Sequence, residues 1–115
     1  MLANSSSSAA ASAAAAAAEK AKAAETAKHL DEVEHQIDQL TARAGGVESA
    51  LENLKRQQAA AGYGLRGDMA EHESSMKLNL SKAQNAIEHN DLDRAKRYAS
   101  QAETDVQALE TFLGR

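Results

Sequence analysis

The spacing of apolar residues between positions 30 and 54 most constrains what this chain can fold into. Apolar side chains recur there at alternating steps of three and four residues. These positions, named the seam below, are Leu30, Val33, Ile37, Leu40, Ala44, Val47, Leu51 and Leu54. Such a heptad repeat places all of its members on one face of an α-helix. The seam therefore predicts a long amphipathic helix that packs lengthwise against other helices.

Two adjacent glycines, Gly45 and Gly46, lie inside the seam without changing its phase. Ala44 and Val47 keep the three-residue step across the pair, whereas a loop would usually shift the repeat. Each glycine costs a helix about 1 kcal/mol relative to alanine. We therefore predict one helix over residues 9–61 with a soft spot at 45–46, and a break of the helix at the glycines is the alternative.

The composition favours an all-α fold with a thin core. Alanine occupies 27 of 115 positions, proline is absent, and the net charge is -4. Abundant Ala, Glu, Lys, Gln and Leu all favour helix. We interpret residues 1–18 as a low-complexity Ser/Ala stretch. It lacks the basic and apolar regions of a secretory signal and is too weakly apolar to span a bilayer. The lack of cysteine excludes disulfides and thiolate metal sites but leaves the compartment open.

A second apolar pattern, over residues 68–115, predicts an antiparallel helical hairpin. Asp68 with Glu71, and Asn90 with Asp93, have the spacing of capping boxes, and Asn90 can also close the preceding helix in the left-handed conformation. Because the link is so short, the two helices must fold back on each other. The predicted hairpin core consists of Met69, Met76, Leu80, Ala83, Ile87, Leu92, Ala95, Ala99, Ala102, Val106, Leu109 and Leu113. The predicted fold class is thus all-α: a long coiled-coil-type helix followed by an antiparallel helical hairpin, in a three-helix arrangement.

The stretch GYGLRGDM, residues 62–69, matches both the G-x-G-x-x-G dinucleotide fingerprint and the adhesive Arg-Gly-Asp tripeptide. A dinucleotide site needs strands on both sides of the fingerprint, and the sequence has no strand pattern. We interpret Asp68 instead as a helix N-cap and Gly67 as a residue with positive φ. The turn over residues 62–67 is then formed by Gly62, Gly64 and Gly67, with Tyr63 and Leu65 capping the open end of the hairpin.

The sequence contains no convincing pattern for catalysis, a cofactor or a metal. Glu32 and His35 have the spacing of a helical metal pair, but a di-metal bundle needs two such motifs and two further glutamates. The histidines lack Ser or Cys partners in a triad order. Arg94, Lys96 and Arg97 form a basic cluster, but two aspartates adjoin it and the chain is acidic. We therefore expect no enzymatic activity, no cofactor, no metal and no nucleic-acid partner.

The run from LRGDMAEHESS to the closing LETFLGR resembles the Ala-rich antiparallel helical hairpins at the ends of some uncharacterised bacterial envelope proteins. The likeness rests on the small-residue stripe, the Asn-Asp turn and the closing Leu-Glu-x-Phe-Leu-Gly. It implies a structural or interaction module and favours the bacterial envelope or periplasm over the cytoplasm, while the location stays open. AAEKAKAAETAK, residues 17–28, is similar to one repeat of the group 3 late-embryogenesis-abundant proteins.

These patterns together predict a non-enzymatic helical scaffold or protein–protein interaction module. A hairpin barely half as long as the first helix leaves part of the seam exposed, and an exposed apolar stripe marks an interaction surface. We therefore expect self-association into a homodimer or higher oligomer. The predicted interaction seam consists of Leu30, Val33, Ile37, Leu40, Val47, Leu51 and Leu54. The alternative is a stress-protective or membrane-surface helix that folds on contact with a partner, so that contact with a membrane stays open.

Overall fold

The structure is a computed structural model that describes residues 2–62 and 64–115, with side chains from residue 9 onward. Its helices are α1 (Leu2–Ala60), α2 (Gly67–Glu88) and α3 (Leu92–Leu113). The described residues contain no strand, and the molecule measures 87 × 19 × 19 Å. The predicted fold class, a long helix followed by an antiparallel hairpin, is confirmed.

Helix α1 passes through Gly45 and Gly46 without a break, as the unchanged phase of the seam predicts. It begins at Leu2, earlier than the predicted residue 9. Alanine has the highest helix propensity of all residues, and a helix already nucleated in the bundle propagates at little cost. The Ser/Ala stretch therefore extends α1 instead of forming a separate segment.

The hairpin packs along the C-terminal half of α1 and buries most of the seam. The seam residues that it buries are Val33, Ile37, Leu40, Ala44, Val47 and Leu51. Leu30 and Leu54, at the two ends, are half-buried. At 1.5 Å per residue the hairpin helices are about 33 Å long, which matches the stretch of α1 that they cover. A single chain thus leaves the seam partly exposed only at its two ends, because the hairpin covers the residues between them.

Most of the predicted hairpin core is buried between the three helices. Its buried members are Met69, Met76, Leu80, Ala83, Ala95, Ala99, Ala102, Val106 and Leu109. Ile87, Leu92 and Leu113 are half-buried and pack against this core. Ala83, Ala95, Ala99 and Ala102 are each 0% exposed. Because these side chains are small, the helix backbones approach closely, and the core has no room for larger residues at these positions.

The turn between α1 and α2 differs from its prediction at two residues. Gly62 has φ +86° and ends α1, but Gly67 is the first residue of α2 and does not have positive φ. Asp68 is not the N-cap; that position is Arg66, which makes no side-chain capping bond. The physical reason is that the Asp68 carboxylate pairs with the Arg66 guanidinium and lies within the first turn, where its charge still complements the helix dipole. Gly64 lies in the link and Leu65 is half-buried, whereas Tyr63 lies outside the described residues.

The turn between α2 and α3 uses its two polar residues in separate roles. Asn90 adopts the predicted left-handed conformation, with φ 55°. It is not the N-cap of α3, as was also predicted. The cap is Asp91, whose side chain accepts a hydrogen bond of 3.2 Å from the Arg94 backbone N–H. A residue that ends one helix with positive φ cannot also take the extended conformation of an N-cap, so the capping role moves to the next residue.

Candidate functional site

The N-terminal half of α1 is the largest exposed feature of the described chain. We call residues 9–28 the arm; every one of them is exposed. It contains Ala, Ser, Thr, Glu and Lys and no large apolar residue, and at helical rise it is about 30 Å long. The seam begins just after it, at the half-buried Leu30. The same helix thus has a buried half inside the bundle and an uncovered half outside it.

Ion pairs between helices fix α1 in register against the hairpin. Arg43 donates to Glu103 at 2.7 Å and, through two nitrogens, to Glu110 at 2.6 and 3.3 Å. Hydrogen bonding by Arg43 holds the pKa of Glu110 below its usual range. Lys55 donates to both oxygens of Glu73, at 2.8 and 3.1 Å. The Glu73 carboxylate is buried, so any shift of α1 that separated it from Lys55 would leave a buried charge without its partner.

A buried polar network joins α2 to α3, and sequence reasoning did not find it. The Asp105 carboxylate is 3.0 Å from His72 Nδ1 and accepts bonds of 2.6 Å from Ser75 Oγ and 3.2 Å from Asn79 Nδ2. Asn79 also donates to Ser75 Oγ at 3.1 Å. The group contains Ser, His and Asp, but the serine hydroxyl donates to the carboxylate and not to the imidazole, so the histidine is not placed to activate the serine as in a catalytic triad. The network supplies hydrogen-bond partners to the buried Asp105 carboxylate, and its geometry does not make the Ser75 hydroxyl a nucleophile.

The Arg-Gly-Asp tripeptide is closed on itself. Arg66 Nε lies 2.6 Å from Asp68 Oδ1, and Nη2 lies 2.7 Å from Oδ2. This bidentate pair lowers the pKa of the Asp68 carboxyl, chiefly through the hydrogen bond from Arg66. The guanidinium also lies 5.5 Å from the centroid of the Phe112 ring. Both charged groups of the tripeptide are therefore engaged within the chain.

Glu32 and His35, which have only the spacing of a helical metal pair, bond to other residues. Glu32 Oε2 lies 3.3 Å from His29 Nδ1 instead, and His35 Nε2 lies 3.2 Å from the Gln39 amide. Among the residues that the structure describes, His, Asp and Glu side chains form no group of three that could hold a metal ion.

The basic cluster predicted at Arg94, Lys96 and Arg97 is rearranged by the hairpin. Arg94 lines a concavity of about 600 Å³ between α2 and α3, together with Lys82 and Tyr98. Arg97 lies beside the ring of Tyr98, whereas Lys96 is exposed and does not line the concavity. Lys82 joins Arg94 at the concavity because it lies on the face of α2 that meets α3. No local motif in the sequence shows which face that is.

The predicted residues thus divide into a core and a few surface features. The seam and the hairpin core meet inside the bundle, while the turn residues lie at its ends. Within the described part of the chain, no helix combines the length and the apolar character that crossing a membrane requires. No protein-family model, curated protein or solved structure matches this chain.

Proposed function

We propose that the protein is a non-enzymatic helical scaffold in which a three-helix bundle holds an uncovered helical arm for association with a second copy of the chain. The observation that carries this proposal is the division of α1. Its seam residues from Val33 to Leu51 are packed into the core, whereas residues 9–28 are exposed along their full length. A bundle whose apolar seam is already covered supports association best through the surface that it leaves uncovered.

The arm is suited to close packing against another helix. A helix surface of Ala and Ser lets a second backbone approach to the short end of the usual 8–10 Å range of interaxial distances. The bundle holds one end of α1 in helical form, so a partner does not meet the full cost of nucleating the helix. Association through the arm is therefore compatible with an ordered monomer.

The charge pattern of α1 favours a second copy as the partner. The arm carries three lysines, Lys20, Lys22 and Lys28, and two glutamates. Four exposed carboxylates follow it, those of Asp31, Glu32, Glu34 and Asp38. When two copies lie antiparallel, the lysines of each arm face the acidic stretch of the other, and such complementarity fixes orientation and register.

Sedimentation equilibrium at micromolar concentration tests this proposal. We expect a dimer or higher oligomer for the natural chain, and an association about tenfold weaker for Lys20→Glu with Lys22→Glu and for Glu32→Lys with Glu34→Lys. An equimolar mixture of the two variants restores association, because the reversed charges again face each other. Arg56→Glu, the same charge reversal near the other end of α1, is the control and leaves the mass unchanged. A natural chain that sediments as a helical monomer rejects the proposal.

Substitution inside the seam does not serve as a test of association. Leu40 and Leu51 are 1% and 0% exposed in a single chain. Leu40→Asp with Leu51→Asp therefore unfolds the bundle whether or not copies associate. Charge reversal on the arm avoids this difficulty, because it changes residues that make no core contact.

The alternative function is a stress-protective or membrane-surface helix that folds on contact with its partner. Far-UV circular dichroism in dilute buffer distinguishes the two, because the scaffold is helical alone and the alternative is not. Adding anionic vesicles raises helicity in the alternative and leaves it unchanged in the scaffold. The lack of large apolar residues in the arm favours the scaffold, since interfacial helices bury Trp, Phe or Leu side chains in the membrane.

A further inference from the structure

A concavity of about 600 Å³ lies between α2 and α3, beside the turn that joins them. Helix α2 contributes Lys82 and Asn85, and α3 contributes Arg94 and Tyr98. His89 follows the end of α2 and completes this side of the rim. Residues three or four positions apart lie on one helix face, so the antiparallel pairing of α2 and α3 brings these donors to a common space.

Positive groups from both helices converge on the ring of Tyr98. Lys82 Nζ lies 5.3 Å from the ring centroid, and Arg97 Cζ lies 5.2 Å from it. Both distances are within the range of cation–π attraction. Interaction with the Arg97 guanidinium, followed by the charges of Lys82 and Arg94, lowers the pKa of the Tyr98 phenol. A local positive field thus exists in a chain whose net charge is -4.

These cations differ from the others that reach across the bundle. Arg43, Lys55 and Lys77 each lie against a carboxylate of another helix, at 2.6 to 3.4 Å. Within the described residues, Lys82 and Arg97 have no carboxylate at ion-pair distance. Nearby carboxylates therefore neutralise Lys82 and Arg97 less than they neutralise the other cations that reach across the bundle.

The one carboxylate that lines the concavity is already engaged. Asp91 accepts the capping bond of 3.2 Å from the Arg94 backbone, and its other oxygen lies 3.5 Å from Arg94 Nε. That second distance is at the long end for a charged pair, so Arg94 can share its guanidinium with another anion. His89 Nδ1 donates to the Asn85 carbonyl oxygen at 2.8 Å, so this nitrogen is engaged within the chain.

We propose that this basic concavity binds a small, doubly charged oxyanion: a phosphate or the phosphate group of a monoester. Guanidinium groups match the planar fork geometry of phosphate oxygens, and the lysine adds a point charge. The Asn85 amide and the Ser81 hydroxyl supply neutral donors at the same rim. A bound anion offsets the positive charges of Lys82 and Arg94, the two cations that line the concavity.

An NMR titration of the full chain with inorganic phosphate, at constant ionic strength maintained with sodium chloride, tests the site. We expect saturable shifts of backbone amides at residues 81–89 and 94–98, with a Kd on the order of 1 mM. Lys82→Gln or Arg94→Gln weakens binding about tenfold, because each removes one charged group that lines the concavity. Lys96→Gln, the same change on an exposed residue of α3 that does not line the concavity, leaves the Kd unchanged. The amide spectrum of each variant shows directly that it is folded.

Vesicles of phosphatidylcholine with phosphatidic acid identify the source of the phosphate group. Co-sedimentation with these vesicles that is lost in Lys82→Gln assigns the site to a lipid headgroup. Saturable binding of free phosphate without co-sedimentation assigns it to a soluble phosphate compound. Shifts that do not saturate, that follow chloride equally well, or that weaken as much in Lys96→Gln as in Lys82→Gln overturn the proposal, since they indicate a diffuse ion atmosphere and not a site.

Discussion

Replacing the two glycines of α1 by alanine should stabilise the bundle. A Cβ at Gly45 meets no heavy atom within 4 Å, and the residue is exposed. A Cβ at Gly46 would lie 3.1 Å from Arg115 Nη1, the end of a flexible side chain that can swing aside. Each alanine gains about 1 kcal/mol in helix propensity. We therefore expect Gly45→Ala to raise the free energy of unfolding by about 1 kcal/mol, and the double variant by about 1 to 2 kcal/mol.

Urea unfolding followed by far-UV circular dichroism measures this gain. With a slope of about 1–3 kcal/mol per molar urea, a gain of about 1 kcal/mol moves the midpoint upward by about 0.3–1 M at unchanged slope. Gly62→Ala is the matched control; its φ of +86° strains any L side chain, so the same substitution should destabilise there. A Gly45→Ala variant with an unchanged or lowered midpoint would show that α1 is not a continuous helix at residue 45.

Three further changes test the packing, the polar network and the ion pairs. Ala99→Leu overfills a position that is 0% exposed and should cost about 1–3 kcal/mol, so a variant with an unchanged Tm would show that Ala99 does not face α2. Asp105→Asn weakens the acceptor of the buried network and should cost about 1–3 kcal/mol in urea unfolding, while the exposed Asp93→Asn changes little. The lowered pKa of Glu110 contributes stability above its unfolded value of about 4.5, and this stability is lost as the pH falls through the lower folded pKa. Urea midpoints measured across this acidic range should therefore fall more steeply in the natural chain than in Glu110→Gln, and identical profiles would contradict a role for its pair with Arg43.

The helices could be predicted because their signals are local and repeated. The seam keeps one phase over residues 30–54, and a repeat of that length outweighs the penalty of Gly45 and Gly46. The helix ends were harder to predict, since several polar residues compete for each cap. Asp68 pairs with Arg66, and Asp91 takes the capping position next to Asn90. Such choices differ by about 1 kcal/mol, which is below what spacing alone can resolve.

The candidate sites depend on contacts between residues far apart in the chain. His72 and Asp105 are 33 positions apart, yet their side chains lie 3.0 Å from each other. Lys82 reaches the ring of Tyr98 from the neighbouring helix. Both contacts follow from the register between α2 and α3, which the packing of alanines at their interface sets. The sequence indicates that these helices pair, but a rotation of either helix by one residue would face different polar groups inward.

The spacing of the seam does not show which helices cover it, because a hairpin of the same chain and a second copy would bury the same residues. The link between α1 and α2 spans only residues 61–66. A connection this short holds the hairpin at a high effective concentration beside the seam, which a separate chain at micromolar concentration cannot match. The hairpin therefore takes the seam first, and the association that we propose uses exposed residues outside the seam. Charge reversal on the arm is therefore the sharper test of self-association, because such a variant can lose its partner while keeping its core.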